Sequence, residues 1–312
     1  MPADSLDFKG LLHCRTIFIL VYRTPGFPFS QDRIPLSTIA LHRLSFFTMS
    51  QRERAYMDGT RADEQYGPEG VTSMKINPIR ILILGPIGSG KSTFVAAAAK
   101  PGCNVETSDG GESCTQVCRE YPTKHRFGQN PIMLIDTPGF EDPARDNVDI
   151  LKEITRHVKG VSGIIYLHRC TDSRLDGDRR LNFEIIKAIC GTEFYSRVVI
   201  CSTFWDQTSG APSRSHLTQH VDRMESLLND PTAFGEVMKM GAEYREFWGN
   251  KEEPCLDVLS HFSSQRNAPK MAILDQLTKH HNQIQETKAG YIIEDRKKKN
   301  ARAGGSGGYH RK

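Results

Sequence analysis

The sequence lacks several features that would settle its class at once. No run reaches the about 18 consecutive apolar residues of a membrane-spanning helix. Eight cysteines occur, yet none forms a Cys-x-x-Cys pair, and the nearest approach is Cys114 with Cys118. That spacing suits neither a zinc ribbon nor a disulfide framework, so buried reduced thiols and a reducing, cytoplasmic setting are expected. Charge of one sign is scarce as well: the net charge is +4, too weak a field to argue for nucleic acid as a partner. The hydrophobic share, 38%, falls below the about 45–50% of globular chains, which points to ends without a core. Neither end has a lipidation signal, since Pro2 follows Met1 and Lys312 is last.

Residues 1–78 read as an unstructured leader. Leu11 to Tyr22 is the one apolar stretch, but His13, Arg15 and Thr16 interrupt it and leave only Ile17 to Val21 clean, so a secretory signal is the weaker reading. Met49, followed by polar Ser-Gln-Arg-Glu-Arg, is an alternative start to Met1. At the other end, residues 286–312 read as a basic, unstructured tail, because no Asp or Glu follows Asp295. Weak contact with an anionic membrane surface is a secondary expectation for that tail.

Between these ends stands Arg80-Ile-Leu-Ile-Leu-Gly85-Pro-Ile-Gly88-Ser89-Gly90-Lys91-Ser92-Thr93. Ile81 to Leu84 has the length and branching of a buried strand, and Phe94 to Lys100 reads as a helix. Strand, glycine loop and helix give the Gly-x-x-x-x-Gly-Lys-Ser match its mechanism. Backbone N–H groups of the loop and the helix N-terminus face an anion, Lys91 adds a full charge, and Ser92 is suited to hold Mg²⁺. Gly85, Gly88, Ser89, Gly90, Lys91, Ser92 and Thr93 are therefore the expected phosphate site. About 45 residues on, Pro131-Ile-Met-Leu-Ile-Asp136-Thr-Pro-Gly139 delivers an Asp at the end of another apolar strand. Such an Asp holds Mg²⁺ through water, while the Gly139 N–H meets a terminal phosphate.

Alternation then continues. Helices are expected over Asn147–Val158, Arg179–Ile189, Ser213–Leu228, Phe234–Trp248 and Ala268–Gln285, and strands over Val161–Leu167, Val198–Cys201 and Leu256–Leu259. Strands alternating with helices predict an α/β fold: a mostly parallel sheet with helices on both faces, binding its ligand at the strands' carboxyl ends.

With these motifs in hand the chain resembles P-loop GTPases of the Ras-like class. Gly163-Ile-Ile-Tyr-Leu-His-Arg169, Asp172-Ser-Arg and Ser202-Thr-Phe-Trp-Asp206 narrow the resemblance to septin-related, immunity-associated (AIG/GIMAP-like) G domains, particularly fungal relatives. It spans residues 79–285. The resemblance implies a GTP/GDP-binding switch with slow Mg²⁺-dependent hydrolysis. It adds Thr115 to Ser92 and, through water, Asp136 as the metal set. Thr203, Phe204 and Asp206 become the base site, with Asp206 accepting from guanine N1 and N2. Phe204 stands where the family carries lysine; an aromatic ring can stack on the purine instead. Leu259-Ser-His-Phe-Ser263-Ser resembles the loop that closes over the base. Catalytic residues stay unassigned: Phe140 replaces the water-orienting glutamine of small GTPases. Related G domains dimerise across the nucleotide, which suggests a homodimer with Arg145 or Arg169 as the donated cation. A nucleotide-stabilised assembly protein with negligible turnover is the alternative, and an ATP-using P-loop enzyme the weaker one.

Overall fold

A computed structural model describes residues 77–305 apart from 108–114, 141, 143–144, 173–174, 176, 207–213, 250–251 and 264–267. The leader over 1–76, both candidate starts and the last seven residues lie outside the described residues, as do Cys114 and Arg174.

Six strands form one sheet in the order β2-β3-β1-β4-β5-β6. They are β1 (Ile79–Leu84), β2 (Arg119–Phe127), β3 (Asn130–Asp136), β4 (Val161–Arg169), β5 (Val198–Thr203) and β6 (Glu243–Glu246). All neighbours run parallel except β2, which pairs antiparallel with β3. Strand residues alternate between two apolar layers, as a period of two requires. Ile81, Ile83, Leu134, Ile165, Leu167 and Val199 face one side; Leu82, Leu84, Ile135, Ile164, Tyr166 and Ile200 face the other. Helices α1 (Lys91–Ala98) and α6 (Glu252–Ser260) cover the first side. The second is covered by α2 (Asn147–His157), α3 (Gly177–Cys190), α4 (Arg214–Asn229), α5 (Gly235–Lys239), α7 (Ala272–Lys279) and α8 (Lys288–Gly305). The mostly parallel α/β reading therefore holds.

Both edges of the sheet are irregular. Strand β2 contains Pro122, which has no N–H to give, and its register slips between Pro122 and Arg126. Strand β6 is only four residues long and alternates Glu243, Tyr244, Arg245, Glu246.

Three elements differ from expectation. Phe234–Trp248 is not one helix: α5 ends at Lys239 and β6 follows. Leu256–Leu259 is not a strand but part of α6, because Cys255, Val258, Leu259 and the following Phe262 are buried at helical spacing. Lys288–Gly305, expected in an unstructured tail, is helix α8. It packs on α3 and α2, burying Ala289 and Ile293 one turn apart, and Lys297 reaches Asp146 at 2.7 Å. Asp146 is also the N-cap of α2, its Oδ1 accepting from the Val148 amide at 2.8 Å. The folded boundary thus lies beyond residue 285.

Burial of Ile293 and Ala289 is worth about 2–4 kcal/mol. A chain ending at Thr287 should therefore melt about 5–15 °C below one ending at Gly305, read by circular dichroism. Equal midpoints would show that α8 adds nothing to the core.

Candidate functional site

The carboxyl ends of β1, β3, β4 and β5 converge on the glycine loop. Strand β1 delivers Gly85, and the loop closes on Gly90, which caps α1 in a left-handed conformation (φ 89°) with no side chain on the helix amides. Those amides remain directed at whatever sits in the loop. Ser92 and Thr93 lie in the first turn of α1. Lys91 is buried; its Nζ donates to the carbonyls of Gly85 at 3.1 Å and Pro86 at 2.9 Å. Its charge is thus parked on the loop itself, at the place where the sequence puts phosphates.

Three separate segments meet at one carboxylate. Ser92 Oγ, from α1, and Thr115 Oγ1, from the stretch entering β2, each donate to Asp136 Oδ2 at 2.9 Å, and the two hydroxyls lie 3.1 Å apart. Asp136 is the last residue of β3, held in register opposite Ile83. The next turn is pinned by Thr137 Oγ1 donating to the Ile83 carbonyl at 2.6 Å. Burial pushes the Asp136 carboxyl above its ordinary value, against the pull of the Lys91 ammonium and the Thr115 and Ser92 hydroxyls. The Thr137 amide also favours the ionised carboxylate, but the buried Asp136 Oδ1 meets no donor in full hydrogen-bond geometry. A buried acceptor with two hydroxyl oxygens beside it is an all-oxygen set of the kind Mg²⁺ takes. The expected metal residues, spread over 44 positions of sequence, are therefore brought together and fit that ion.

Gly139 packs beneath the loop. A Cβ there would fall 2.8 Å from Ile87 Cγ1, 3.0 Å from the Ile87 amide nitrogen and 3.1 Å from Lys91 Nζ. Only glycine lets this turn approach so closely, and Ile87 is a contact that motif spacing does not announce. Phe140 turns the other way and is buried in the apolar layer that also holds Leu82 and Leu84. Asp142 is buried as well.

The residues expected to meet the base lie at the end of β5 and just past it. Thr203 Oγ1 donates to the Ser89 carbonyl at 2.9 Å, tying strand to loop. Phe204 takes a left-handed φ of 65°, unusual for a bulky residue. Trp205 is buried, stacked on Trp248 at 5.2 Å, with its indole N–H donating to Ser202 Oγ at 2.9 Å. Asp206 follows on an exposed turn, so the tryptophan stack anchors the carboxylate expected to read the base.

The loop after β6 reaches this site, not the one expected. The Phe247 amide donates to the Ser202 carbonyl at 2.8 Å, and Trp248 supplies the stack. Phe262 instead packs under Gly163 near the start of β4, where a Cβ would fall 2.1 Å from its ring. That is the opposite pole, so Leu259–Ser263 does not close over the base. The same pole carries an open hollow of about 970 Å³ bordered by Arg80, Lys159, Ser263 and Lys270, away from the phosphate loop.

His168 is fully buried at the end of β4 and meets Phe234 edge-on at 5.4 Å. Burial drives its pKa down to about 3, so it is a neutral packing group. Cys118, Glu153 and His157 cluster within 4.8 Å of one another. Glu153 already accepts from the Cys118 amide at 3.1 Å and pairs with Arg156 at 2.6 Å. Burial lifts the thiol pKa to about 12. The trio acts as an interlock between the entry to β2 and α2.

Strand order, glycine loop and the Asp136 turn define the Ras-like P-loop GTPase fold. Residues 80–193 match the family described as 50S ribosome-binding GTPase, a little over a third of the chain. Among solved structures, a dimerization-deficient mutant of Toc33 from Arabidopsis thaliana is 20% identical, with a TM-score of 0.46 over 62% of this chain and 87% of that one. Toc33 in complex with GDP and Mg²⁺ is 19% identical, TM-score 0.46, over 74% and 95%. Era from Aquifex aeolicus, bound to GDP and AlF₄⁻, is 15% identical, TM-score 0.39, over 67% and 56%. No curated protein matches the sequence.

Proposed function

We propose that this protein is a guanine-nucleotide-binding switch with slow, Mg²⁺-dependent GTP hydrolysis. The observation that carries the proposal is the meeting of Ser92, Thr115 and Asp136 around one buried carboxylate beside Lys91. A phosphate chain in the loop would take the amides of Gly88 to Thr93 and draw Lys91 Nζ from its carbonyls. Ser92 and Thr115 would hold Mg²⁺ directly and Asp136 through water. The ion neutralises charge on the β- and γ-phosphate oxygens when bound. Gly139, packed against Ile87 and Lys91, would present its N–H to the terminal phosphate and carry its presence into the following turn. Asp206 would accept from guanine N1 and N2, with Phe204 and Thr203 beside the base.

Slow turnover follows from Phe140. A ring buried in the core orients no water, and no glutamine stands in its place. Without that group or a donated arginine, turnover should be no faster than the intrinsic rate of about 10⁻⁴ s⁻¹. A second copy meeting the first across the nucleotide would supply the missing cation. Arg145, held on the Gln116 carbonyl beside Thr115, is better placed for this than Arg169, which is engaged by its own loop. Specific activity is therefore expected to rise with protein concentration from nanomolar to tens of micromolar, measured as phosphate released per mole. Fast turnover that stays constant over that range would mean a complete monomeric site and overturn the proposal. Immeasurable turnover at every concentration, with GTP still bound, is the outcome of the assembly-protein reading. That reading also draws on Phe140.

The described cysteines form no disulfide, and none of the described helices is long and apolar enough to cross a membrane. A reducing, cytoplasmic setting is part of the same proposal and draws on the burial of Cys118, Cys170, Cys190, Cys201 and Cys255 as free thiols.

A further inference from the structure

Arg169 ends β4 with its side chain laid across the phosphate loop. Its Nε donates to the Gly88 carbonyl at 2.7 Å, and its Cζ sits 4.7 Å from the centre of the Phe204 ring. Gly88 itself takes a left-handed φ of 70°, and Nη2 lies where a side chain on it would begin. The parallel register opposes Arg169 to Thr203, which brings it beside Phe204 without any long loop. Thr203 in turn holds the Ser89 carbonyl. Two successive loop carbonyls, Gly88 and Ser89, are thus tied to the ends of β4 and β5.

Phe204 needs such support. A non-glycine residue in the left-handed region costs about 1–2 kcal/mol, and a phenyl ring has no donor for a loop carbonyl. A lysine at 204 would bring an apolar stem and a cation from one position. Here the ring comes from Phe204 and the cation from Arg169, and the cation–π contact joins them.

We propose that Arg169 is the positioning residue of the purine platform. It fixes the Phe204 ring against the phosphate loop, so that the base and phosphate subsites form one rigid unit, and it acts through the ring without touching phosphate. This rests on the guanine-nucleotide reading above. The platform determines how strongly the base adds to phosphate binding.

The test uses the full chain, with GDP and base-free pyrophosphate as probes in equilibrium titrations. Arg169→Gln should weaken GDP about tenfold and leave pyrophosphate unchanged. Arg169→Lys, which keeps cation and donor, should recover most of the loss and serves as the folded control. In a Phe204→Leu background the same Arg169→Gln change should cost little, since coupled residues are not additive. Equal losses for GDP and pyrophosphate would make Arg169 a phosphate cation and overturn the proposal. Unchanged GDP affinity with turnover lowered only at high protein concentration would make it a group donated to a second copy, again overturning it. Wild-type protein that binds pyrophosphate but gains nothing from guanine would overturn the nucleotide reading, and the platform with it. Wild type that prefers GDP, with Arg169→Gln indifferent, would overturn the platform alone.

Discussion

Lys91→Ala is expected to lower nucleotide affinity at least a hundredfold. The ammonium is buried and already surrounded by acceptors, the carbonyls of Gly85 and Pro86, so exchanging them for phosphate oxygens requires only a small movement. A charged hydrogen bond is worth about 1.5–3 kcal/mol. Losing two of them, to the β- and γ-phosphates, costs about 3–6 kcal/mol, and each 1.4 kcal/mol is a factor of ten. Arg169 cannot compensate, since its guanidinium is committed to Gly88 and Phe204. Calorimetric titration with GTP measures the effect directly. Affinity unchanged from wild type would remove the phosphate assignment and everything built on it.

The second large effect concerns the base. Asp206→Asn is expected to weaken GTP by about 1.5–3 kcal/mol, roughly 10- to 150-fold, and to raise affinity for xanthosine triphosphate. The C2 oxygen of xanthine is an acceptor, which an amide can meet and a carboxylate cannot. Trp205, stacked on Trp248 and bonded to Ser202, holds the turn whichever residue occupies 206. The substitution should therefore change the recognised base without displacing the turn. Competition of both nucleotides against labelled GDP separates the outcomes. An equal loss for every purine nucleotide would reduce Asp206 to a structural member of the turn.

The phosphate half of the site was legible because its residues are neighbours in sequence: Gly85 to Thr93 and Asp136 to Gly139 each carry their own strand and turn. Fold class followed from the same two stretches and the alternation after them. Legibility failed where identity depends on partners far along the chain. Glu243–Glu246 is polar on three of four positions and becomes a strand only by lying beside β5. Leu256–Leu259 is apolar enough for a strand, yet its true period emerges only with Cys255 and Phe262 included. The basic run after Lys288 hides the two small apolar contacts, Ala289 and Ile293, that dock α8. With β6 lying inside an expected helix, Phe247 and Trp248, which meet Ser202 and Trp205, carry no local signal of their own. The placement of Arg169 required the β4–β5 register, which no local pattern encodes.

The irregular margins of the sheet bear on whether chains can join edge to edge. Unpaired strand rims invite pairing with another chain, and uncontrolled pairing ends in fibrils. On one rim Pro122 withholds a donor, and Lys124 and Arg126 stand exposed. The other rim is four residues long and carries Glu243, Arg245 and Glu246. Neither margin offers the flat, regular ladder that strand addition needs. Extension of the sheet from chain to chain is thereby disfavoured at both margins, and the protein gains protection from the ordered aggregation its buried strands would otherwise template.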